Sequence, residues 1–293
     1  ANISYTGNLA KRLIVNRSDV EAASNPGAKY FVEAQYITSD DNVAGGNSWN
    51  NASYRGVNLA SDGAVVGFIG GTEREKPALF AWTVEDPEVS FQRIEVPDDG
   101  NYYIAHRVYD NGDGTWDYHY AIMNFDSHRS ARSLNIPIPA GVNVSNFDFH
   151  DVDYHSGEIW DGTDWAVAIG GTTLTWETGA YNTSLPDFDN VDNAIRWGTT
   201  YSCSFRADTA PQKANAAVGL YRPGDAGDPD SFSFGTLAPS PGPCPQDLAG
   251  NDGVVDSTDL FALLGAWGKC PGCYADLTGD EVVDSNDLFE LLG

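Results

Sequence analysis

Twenty-four residues near the middle of the chain read Tyr102-Tyr-Ile-Ala-His-Arg-Val-Tyr109, Asp110-Asn-Gly-Asp-Gly114 and Thr115-Trp-Asp-Tyr-His-Tyr-Ala-Ile-Met-Asn-Phe125. Two aromatic and β-branched runs flank five residues of pure turn chemistry. Glycine supplies positive φ, and Asn and Asp hydrogen-bond their own backbone, so the pattern predicts a β-hairpin. Further strand-like runs extend outward on both sides. Before the hairpin lie Lys29–Thr38, Gly63–Ile69 and Ala78–Val84; after it lie Val144–Phe149, Trp165–Ile169, Thr173–Trp176, Thr199–Arg206, Ala216–Tyr221 and Phe232–Gly235. Ser133-Leu-Asn-Ile-Pro-Ile138 reads as an edge strand, because proline removes a ladder donor. Only Val20–Ser24 hints at a helix in this part, and Ser39–Ala60 reads as a long polar surface loop. About a dozen strands without crossover helices predict antiparallel sheets stacked as a sandwich.

The 293 residues are 41% hydrophobic, enough for a sizeable core, and carry 31 Gly, 14 Tyr, 13 Phe and 8 Trp but one Met. The net charge of −26 sets the chain against nucleic acid and against anionic membrane surfaces. A carboxylate surplus suits hard divalent cations, although solubility alone would account for most of it. No apolar run approaches the length of a membrane helix. The first residue is Ala1, as signal-peptide removal would leave it; a cloning boundary would leave the same. Three of the four cysteines (Cys244, Cys270 and Cys273, but not Cys203) fall in the last 50 residues, which points to an oxidising, extracellular setting.

Ala238-Pro-Ser-Pro-Gly-Pro-Cys-Pro245 has four prolines in eight residues and predicts a stiff linker. It divides the chain into a β-sandwich domain (1–237), a linker (238–245) and a small C-terminal domain (246–293). Behind the linker the sequence repeats. Cys244-Pro-Gln-Asp-Leu is echoed by Cys273-Tyr-Ala-Asp-Leu. Gly253-Val-Val-Asp-Ser-Thr-Asp-Leu-Phe-Ala-Leu-Leu-Gly265 is echoed by Glu281-Val-Val-Asp-Ser-Asn-Asp-Leu-Phe-Glu-Leu-Leu-Gly293. In the second copy Asp276, Thr278, Asp280, Asp284 and Asp287 stand at positions 1, 3, 5, 9 and 12 of a twelve-residue loop, with the carbonyl of Val282 at position 7. That spacing turns oxygens toward one Ca²⁺ in an EF-hand loop. In the first copy Asp247, Asn251, Asp252, Asp256 and Asp259 are the corresponding candidates, with one residue too many before Gly253. After each loop, leucines at helical spacing predict a short amphipathic helix. Residues 246–293 hold ten acidic residues against Lys269 alone. Such crowding is self-repelling without counter-ions, which favours calcium over a merely solvated tail.

The paired segments resemble a type I dockerin, a family of two calcium loops each leading into one helix, folded around two Ca²⁺ ions and docking onto a cohesin partner. The resemblance covers about 50 residues. It implies an α-helical calcium-binding module after the β-sandwich, and a cohesin-like protein as one partner. The chain departs from the family in its long first loop and in Glu281, which stands at the position-6 turn where glycine is usual. A disulfide from Cys244 to Cys270 or Cys273 is expected as a staple for so small a domain; zinc at Cys270-Pro-Gly-Cys273 lacks a fourth ligand. Tyr30–Tyr36, Asn50–Arg55, Phe149–Gly157 and Arg196–Gly198 are similar to segments of secreted bacterial proteins that carry dockerin-like tails and have no known role.

In the large domain the densest polar cluster is His150-Asp-Val-Asp-Tyr-His155 with Glu158, Asp161 and Asp164. Asp151 and Asp153 could serve a metal or an acid–base pair; carboxylates capping turns at a sheet edge are the plainer reading. Asp110 and Asp113 could likewise hold calcium, yet a tight turn needs them in any case. No nucleophile elbow or phosphate loop is present. Trp49, Tyr54, Trp160 and Trp197 are candidates to stack on sugars. Three function classes follow: a non-catalytic, secreted, calcium-dependent structural subunit of a filament, tube or layer built from copies of itself; a polysaccharide-binding module anchored through cohesin; and a secreted glycoside hydrolase.

Overall fold

The aromatic runs at the centre of the chain form the predicted hairpin. Gly100–Asp110 and Trp116–Asn124 pair antiparallel with Ala105 opposite Ala121. The turn is capped by its own carboxylates: Gly112 N–H donates to Asp110 Oδ1 at 2.7 Å, and Thr115 N–H to Asp113 Oδ1 at 3.1 Å. Gly112 and Gly114 take φ of 73° and 86°, the left-handed region that glycine enters freely.

The computed structural model describes residues 15–21, 23–38, 47–61, 63–152, 160–241, 246–249, 255–270 and 273–292. In chain order these hold α1 (Arg17–Val20), β1 (Tyr30–Gln35), β2 (Ala52–Leu59), β3 (Val65–Arg74), α2 (Ala81–Glu85), β4 (Ser90–Val96), β5 (Gly100–Asp110) and β6 (Trp116–Asn124). There follow β7 (Ala131–Pro137), β8 (Val144–His150), β9 (Ala166–Gly170), β10 (Thr173–Glu177), β11 (Thr199–Ala207), β12 (Pro211–Leu220) and β13 (Ser231–Pro239). After the proline-rich stretch come α3 (Ser257–Gly265), β14 (Gly268–Lys269), β15 (Val282–Val283) and α4 (Ser285–Leu292). The protein is mainly β with antiparallel sheets.

Two five-stranded sheets, ordered β4-β5-β6-β11-β8 and β13-β12-β7-β10-β9, enclose one core. Alternate residues of both sheets supply it, among them Tyr102, Ile104, Tyr118, Tyr120 and Phe205 from the first and Leu134, Ile136, Leu174, Trp176 and Val218 from the second. The core is rich in tyrosine, and the hydroxyls of its four buried tyrosines each find an acceptor. Tyr118 donates to the Thr209 carbonyl (2.9 Å), Tyr120 to the Leu237 carbonyl (2.6 Å), Tyr201 to Asn193 Oδ1 (2.7 Å) and Tyr102 to Ser127 Oγ (2.8 Å). Left unpaired, each buried hydroxyl would cost roughly 1–3 kcal/mol; paired, the rings contribute their full apolar area. The Tyr120 bond runs from β6 to β13 and ties the two sheets together.

A third sheet, β1-β2-β3, lies outside the first. Ala52 on β2 joins Tyr103, Met123 and Phe125 in a second cluster, with Leu79 and Phe91 against it.

Five expectations are revised. Ala78–Val84 is not a strand: Ala78–Phe80 form a 3-10 turn that runs into α2. Pro77 sets its start, and Ala81 is buried; a short apolar run does not declare its own period. The supposed loop 39–60 contains a 3-10 turn at Ser48–Asn50 and all of β2, whose Ala52, Tyr54 and Val57 are buried; residues 39–46 lie outside the described ones. Ser133–Ile138 is central, because β7 sits between β12 and β10. Its proline is tolerated as the last residue of the strand, beyond which Ile138 N–H donates to Thr172 instead. The helix expected at Val20–Ser24 lies earlier, as α1, where Asn16 caps it by accepting from Ser18 N–H at 3.2 Å. Finally, β13 continues through Ala238 and Pro239, two residues assigned to the linker. Proline is accommodated there because β13 is an edge strand, and Ala238 is fully buried. Strand β4 gave no sequence signal of its own.

Candidate metal centre

The sequence duplication is matched in three dimensions. In the first copy Asp256 caps α3, accepting from Thr258 N–H at 2.7 Å, while Asp259 Oδ2 accepts from Asp256 N–H at 2.7 Å and Oδ1 from Ala249 N–H at 2.9 Å. In the second copy Asp284 Oδ1 accepts from Asn286 N–H at 2.7 Å. Asp287 Oδ2 accepts from Asp284 N–H at 2.8 Å and Oδ1 from Thr278 N–H at 3.0 Å. Residue for residue, Asp287 repeats Asp259, and both are fully buried. Around them Leu263, Ala275, Val283 and Leu291 form one small core, with Leu260, Leu288, Leu248 and Leu277 at its margin. Leu260 and Leu263 of α3 correspond to Leu288 and Leu291 of α4, so both helices turn the same face inward. β14 and β15 pair antiparallel and join the end of the first copy to the second loop.

The second loop is folded around Asp276. Its Oδ1 accepts from Gly279 N–H (2.8 Å) and Asp280 N–H (3.1 Å), and its Oδ2 from Glu281 N–H (2.8 Å). Asp280 Oδ1 accepts from Val282 N–H at 2.9 Å. Glu281 takes φ 69°, the left-handed conformation the loop demands at position 6, although a non-glycine residue there costs about 1 kcal/mol. The backbone therefore makes the turn even without glycine.

Burial pushes the Asp287 carboxyl up, but the N–H donors of Asp284 and Thr278 and the Thr278 hydroxyl outweigh it, leaving the carboxyl below its ordinary range. Asp259 is likewise held low, chiefly by the N–H groups of Asp256 and Ala249. Both are thus carboxylates at neutral pH, without a basic side chain among the bonds that hold them.

Among the described residues no three His, Cys, Asp or Glu side chains gather into a ready cage. In the second loop the reason is visible: one oxygen or more of Asp276, Asp280, Asp284 and Asp287 is engaged by loop N–H groups. A carboxylate has about four acceptor positions, so each retains capacity. The donor set is all hard oxygen, which fits Ca²⁺ rather than a softer metal. In the first loop Asn251 and Asp252 lie outside the described residues, while Asp247, Asp256 and Asp259 lie within them. Val282, expected to offer its carbonyl, opens β15.

The staple differs from the expected one. Cys270 and Cys273 are bonded to each other, which leaves neither for Cys244, itself outside the described residues, and leaves no thiolate pair for zinc. Cys203 is a free, buried thiol of the sandwich core, and burial pushes its pKa up.

The other candidates resolve as structural. Asp110 and Asp113 cap their hairpin, as above. Asp151 is buried, where Asn193 Nδ2 donates to it; Asp153, His155 and Glu158 lie outside the described residues. Asp161 caps a turn through Thr163 N–H at 2.9 Å. The aromatic candidates for sugar stacking do not converge. Tyr54 is buried, Trp49 carries Arg93 over its ring at 4.7 Å, Trp160 stacks on Arg196 at 4.8 Å, and Trp197 is exposed at the rim of a cleft that it lines with Tyr36, Ser48 and Asn51.

Sequence reasoning missed a groove on the outer face of the first sheet. Its volume is about 270 Å³, and Trp82 of α2 walls it over Ala121, Ser202, Ser204, His119 and Asp148. Strand alternation could have put these residues on one face, but only the pairing of β6, β11 and β8 brings them together. The side chains of Ser202, Ser204 and Asp148 make no hydrogen bond among the described residues, although their backbones lie in the β6-β11-β8 ladder. Burial lowers the His119 pKa, partly offset by Asp117 and Asp148.

No helix among the described residues is long and apolar enough to cross a membrane. Comparison with known proteins finds neither a family model that matches the chain nor a curated relative.

Proposed function

We propose that the chain is a secreted, non-catalytic structural protein whose C-terminal repeat is a dockerin-like, calcium-dependent module, and that it assembles with copies of itself into an extracellular filament or layer. The observation that carries the calcium reading is the loop at Asp276. It is wound around the Asp276 carboxylate, turns through a strained Glu281, and ends on the buried carboxylate of Asp287, which is held by the N–H groups of Thr278 and Asp284 and the Thr278 hydroxyl. Asp276, Thr278, Asp280, Asp284 and Asp287, with the Val282 carbonyl, would hold Ca²⁺ in the second loop. Asp247, Asn251, Asp252, Asp256 and Asp259 would do so in the first. Bound calcium supplies the positive charge that lets ten acidic residues share a small unit, and it couples metal affinity to folding of the module. One cystine and a core of four buried side chains, Leu263, Ala275, Val283 and Leu291, are little to hold so small a domain otherwise.

Imaging the protein before and after a calcium chelator tests the assembly. Particles that disperse on chelation and re-form with calcium are expected; monodisperse monomers throughout contradict it.

A second reading is favoured by the groove beneath Trp82. An indole beside unpaired serine and aspartate side chains suits a neutral sugar, whose flat apolar face stacks while its hydroxyls are bonded. Retention on insoluble cellulose or chitin, lost in Trp82→Ala, is the expected result under that reading. Equal retention of the two proteins, or none, rejects it.

A further inference from the structure

We infer that β3 is an assembly edge, and that its partner is the β3 strand of a second copy of this chain. The inference rests on the assembly reading above and gives it one surface.

β3 runs for ten residues and, among the described residues, pairs only with β2, so along its outer side it offers backbone N–H and C=O groups to another strand, the Gly70 carbonyl apart, which accepts from Arg55 Nη2 at 2.6 Å. Its apolar residues are exposed on both faces: Val65 52%, Val66 66%, Phe68 60% and Ile69 52%. Adjacent residues of a strand point to opposite sides, so no single layer laid over this sheet would cover them all. A strand added at the edge, bringing its own sheet with it, extends both faces at once. Proteins ordinarily blunt such edges with lysine, proline, inward charge or bulges; β3 has irregularities in its register with β2, at Tyr54/Gly56 and Asn58/Leu59. Between Val65 and Thr72 there is no charged residue and no proline.

Charge selects the occupant. Residues 1–84 carry seven Lys and Arg against eight Asp and Glu, a net of −1; the remaining residues carry nine against 34, a net of −25. The three strands themselves hold Glu33 and Glu73 against Arg55 and Arg74, so two copies repel least where these sheets meet. With screening over about 8 Å at physiological ionic strength, contact through the two near-neutral sheets keeps the acidic bodies apart. β9 is also an exposed edge, with Val167 and Ile169 outward, but it is five residues long and belongs to the acidic body.

Like-with-like contact of one edge is isologous and follows a two-fold axis. An axis near Phe68 and Ile69 makes the pairing antiparallel. It sets the Glu73–Arg74 end of each copy against the Val65 end of the other, so like charges do not meet. The three-stranded sheets then join as six strands. A filament or layer needs one further contact between such pairs.

The test is the mass in solution of the full-length chain with calcium, for wild type and for Val66→Lys, Phe68→Lys and, as a control on the sandwich surface, Phe188→Lys. All three side chains are exposed, so the fold should tolerate them, and near-UV circular dichroism checks that it does. Wild type and Phe188→Lys are expected at twice the chain mass or a multiple of it, with Val66→Lys and Phe68→Lys reduced to the single-chain mass. A monomeric wild type, or edge variants that associate as wild type does, overturns the inference. Repeating the measurement in chelator separates the two readings. If chelation disperses the particles while Phe68→Lys does not, the edge fails and the calcium reading stands; if Phe68→Lys disperses them and chelation does not, the reverse holds.

Discussion

Single residues show two ways of holding a polar group inside this protein. Tyr102, Tyr118, Tyr120 and Tyr201 of the sandwich core place their hydroxyls on acceptors, and Asp259 and Asp287 place their carboxylates on backbone N–H groups. Other polar atoms are buried without a partner, Trp176 Nε1, Thr209 Oγ1 and His106 Nδ1 among them, and of these His106 is the one whose charge responds to pH. It is buried in the sandwich and its Nδ1 has no partner, and burial lowers its pKa to about 4. In the unfolded chain histidine titrates near 6.5. Below that pH the unfolded state takes up a proton that the folded state refuses, so stability falls as pH drops from about 6.5 toward 4. The full loss is about 3 kcal/mol, at 1.36 kcal/mol for each pKa unit. Denaturant unfolding of wild type and His106→Gln from pH 7.5 to pH 4.5 checks this. Wild type should lose more stability than the variant over that window, and parallel curves would contradict the assignment. Glu281 offers a second test. Replacing it with glycine removes the left-handed strain, so Glu281→Gly should tighten calcium binding by about fivefold to tenfold, equivalent to about 1 kcal/mol. A weaker-binding variant would mean that the glutamate side chain contributes more than its backbone costs.

Among elements, those with strong local chemistry were legible from sequence. The hairpin of β5 and β6 carried its turn residues in plain sight, and the duplicated helices α3 and α4 carried leucines at helical spacing. Elements set by tertiary contact were not. α2 was indistinguishable from a strand, because a seven-residue run with six apolar residues satisfies either period; packing of Leu79 against the second cluster and burial of Ala81 decided it. β4 was missed because Ser90-Phe-Gln-Arg-Ile-Glu-Val96 mixes polar and apolar residues, although the Asp86-Pro87 turn before it, closed by Val89 N–H on the Asp86 carbonyl, was a signal in the sequence. The central place of β7 could not be read, since nothing local shows that its proline falls where the ladder ends. The loop carboxylates were legible as oxygen donors, but their capping bonds were not, and neither was the pairing of Cys270 with Cys273. At the hairpin, the two readings of Asp113 can be separated. If it only caps the turn, Asp113→Ala lowers the unfolding midpoint equally with calcium and with chelator. A loss confined to the calcium samples would make the hairpin a metal site.

At the scale of the whole molecule, charge and apolar surface are segregated. A near-neutral N-terminal sheet with an unprotected edge sits on a strongly acidic body, and the acidity is densest in the duplicated tail. That distribution suits a protein that meets its own copies at one place and divalent cations at another. The tail is the part on which the functional reading depends, because its carboxylates share a small space with one lysine. Calcium titration of the chelator-stripped, full-length chain by calorimetry, beside the double variant Asp259→Ala and Asp287→Ala, tests it most directly. Saturable binding by the wild-type chain and none by the variant is the predicted result; no binding by wild type, or equal binding by both, would contradict it.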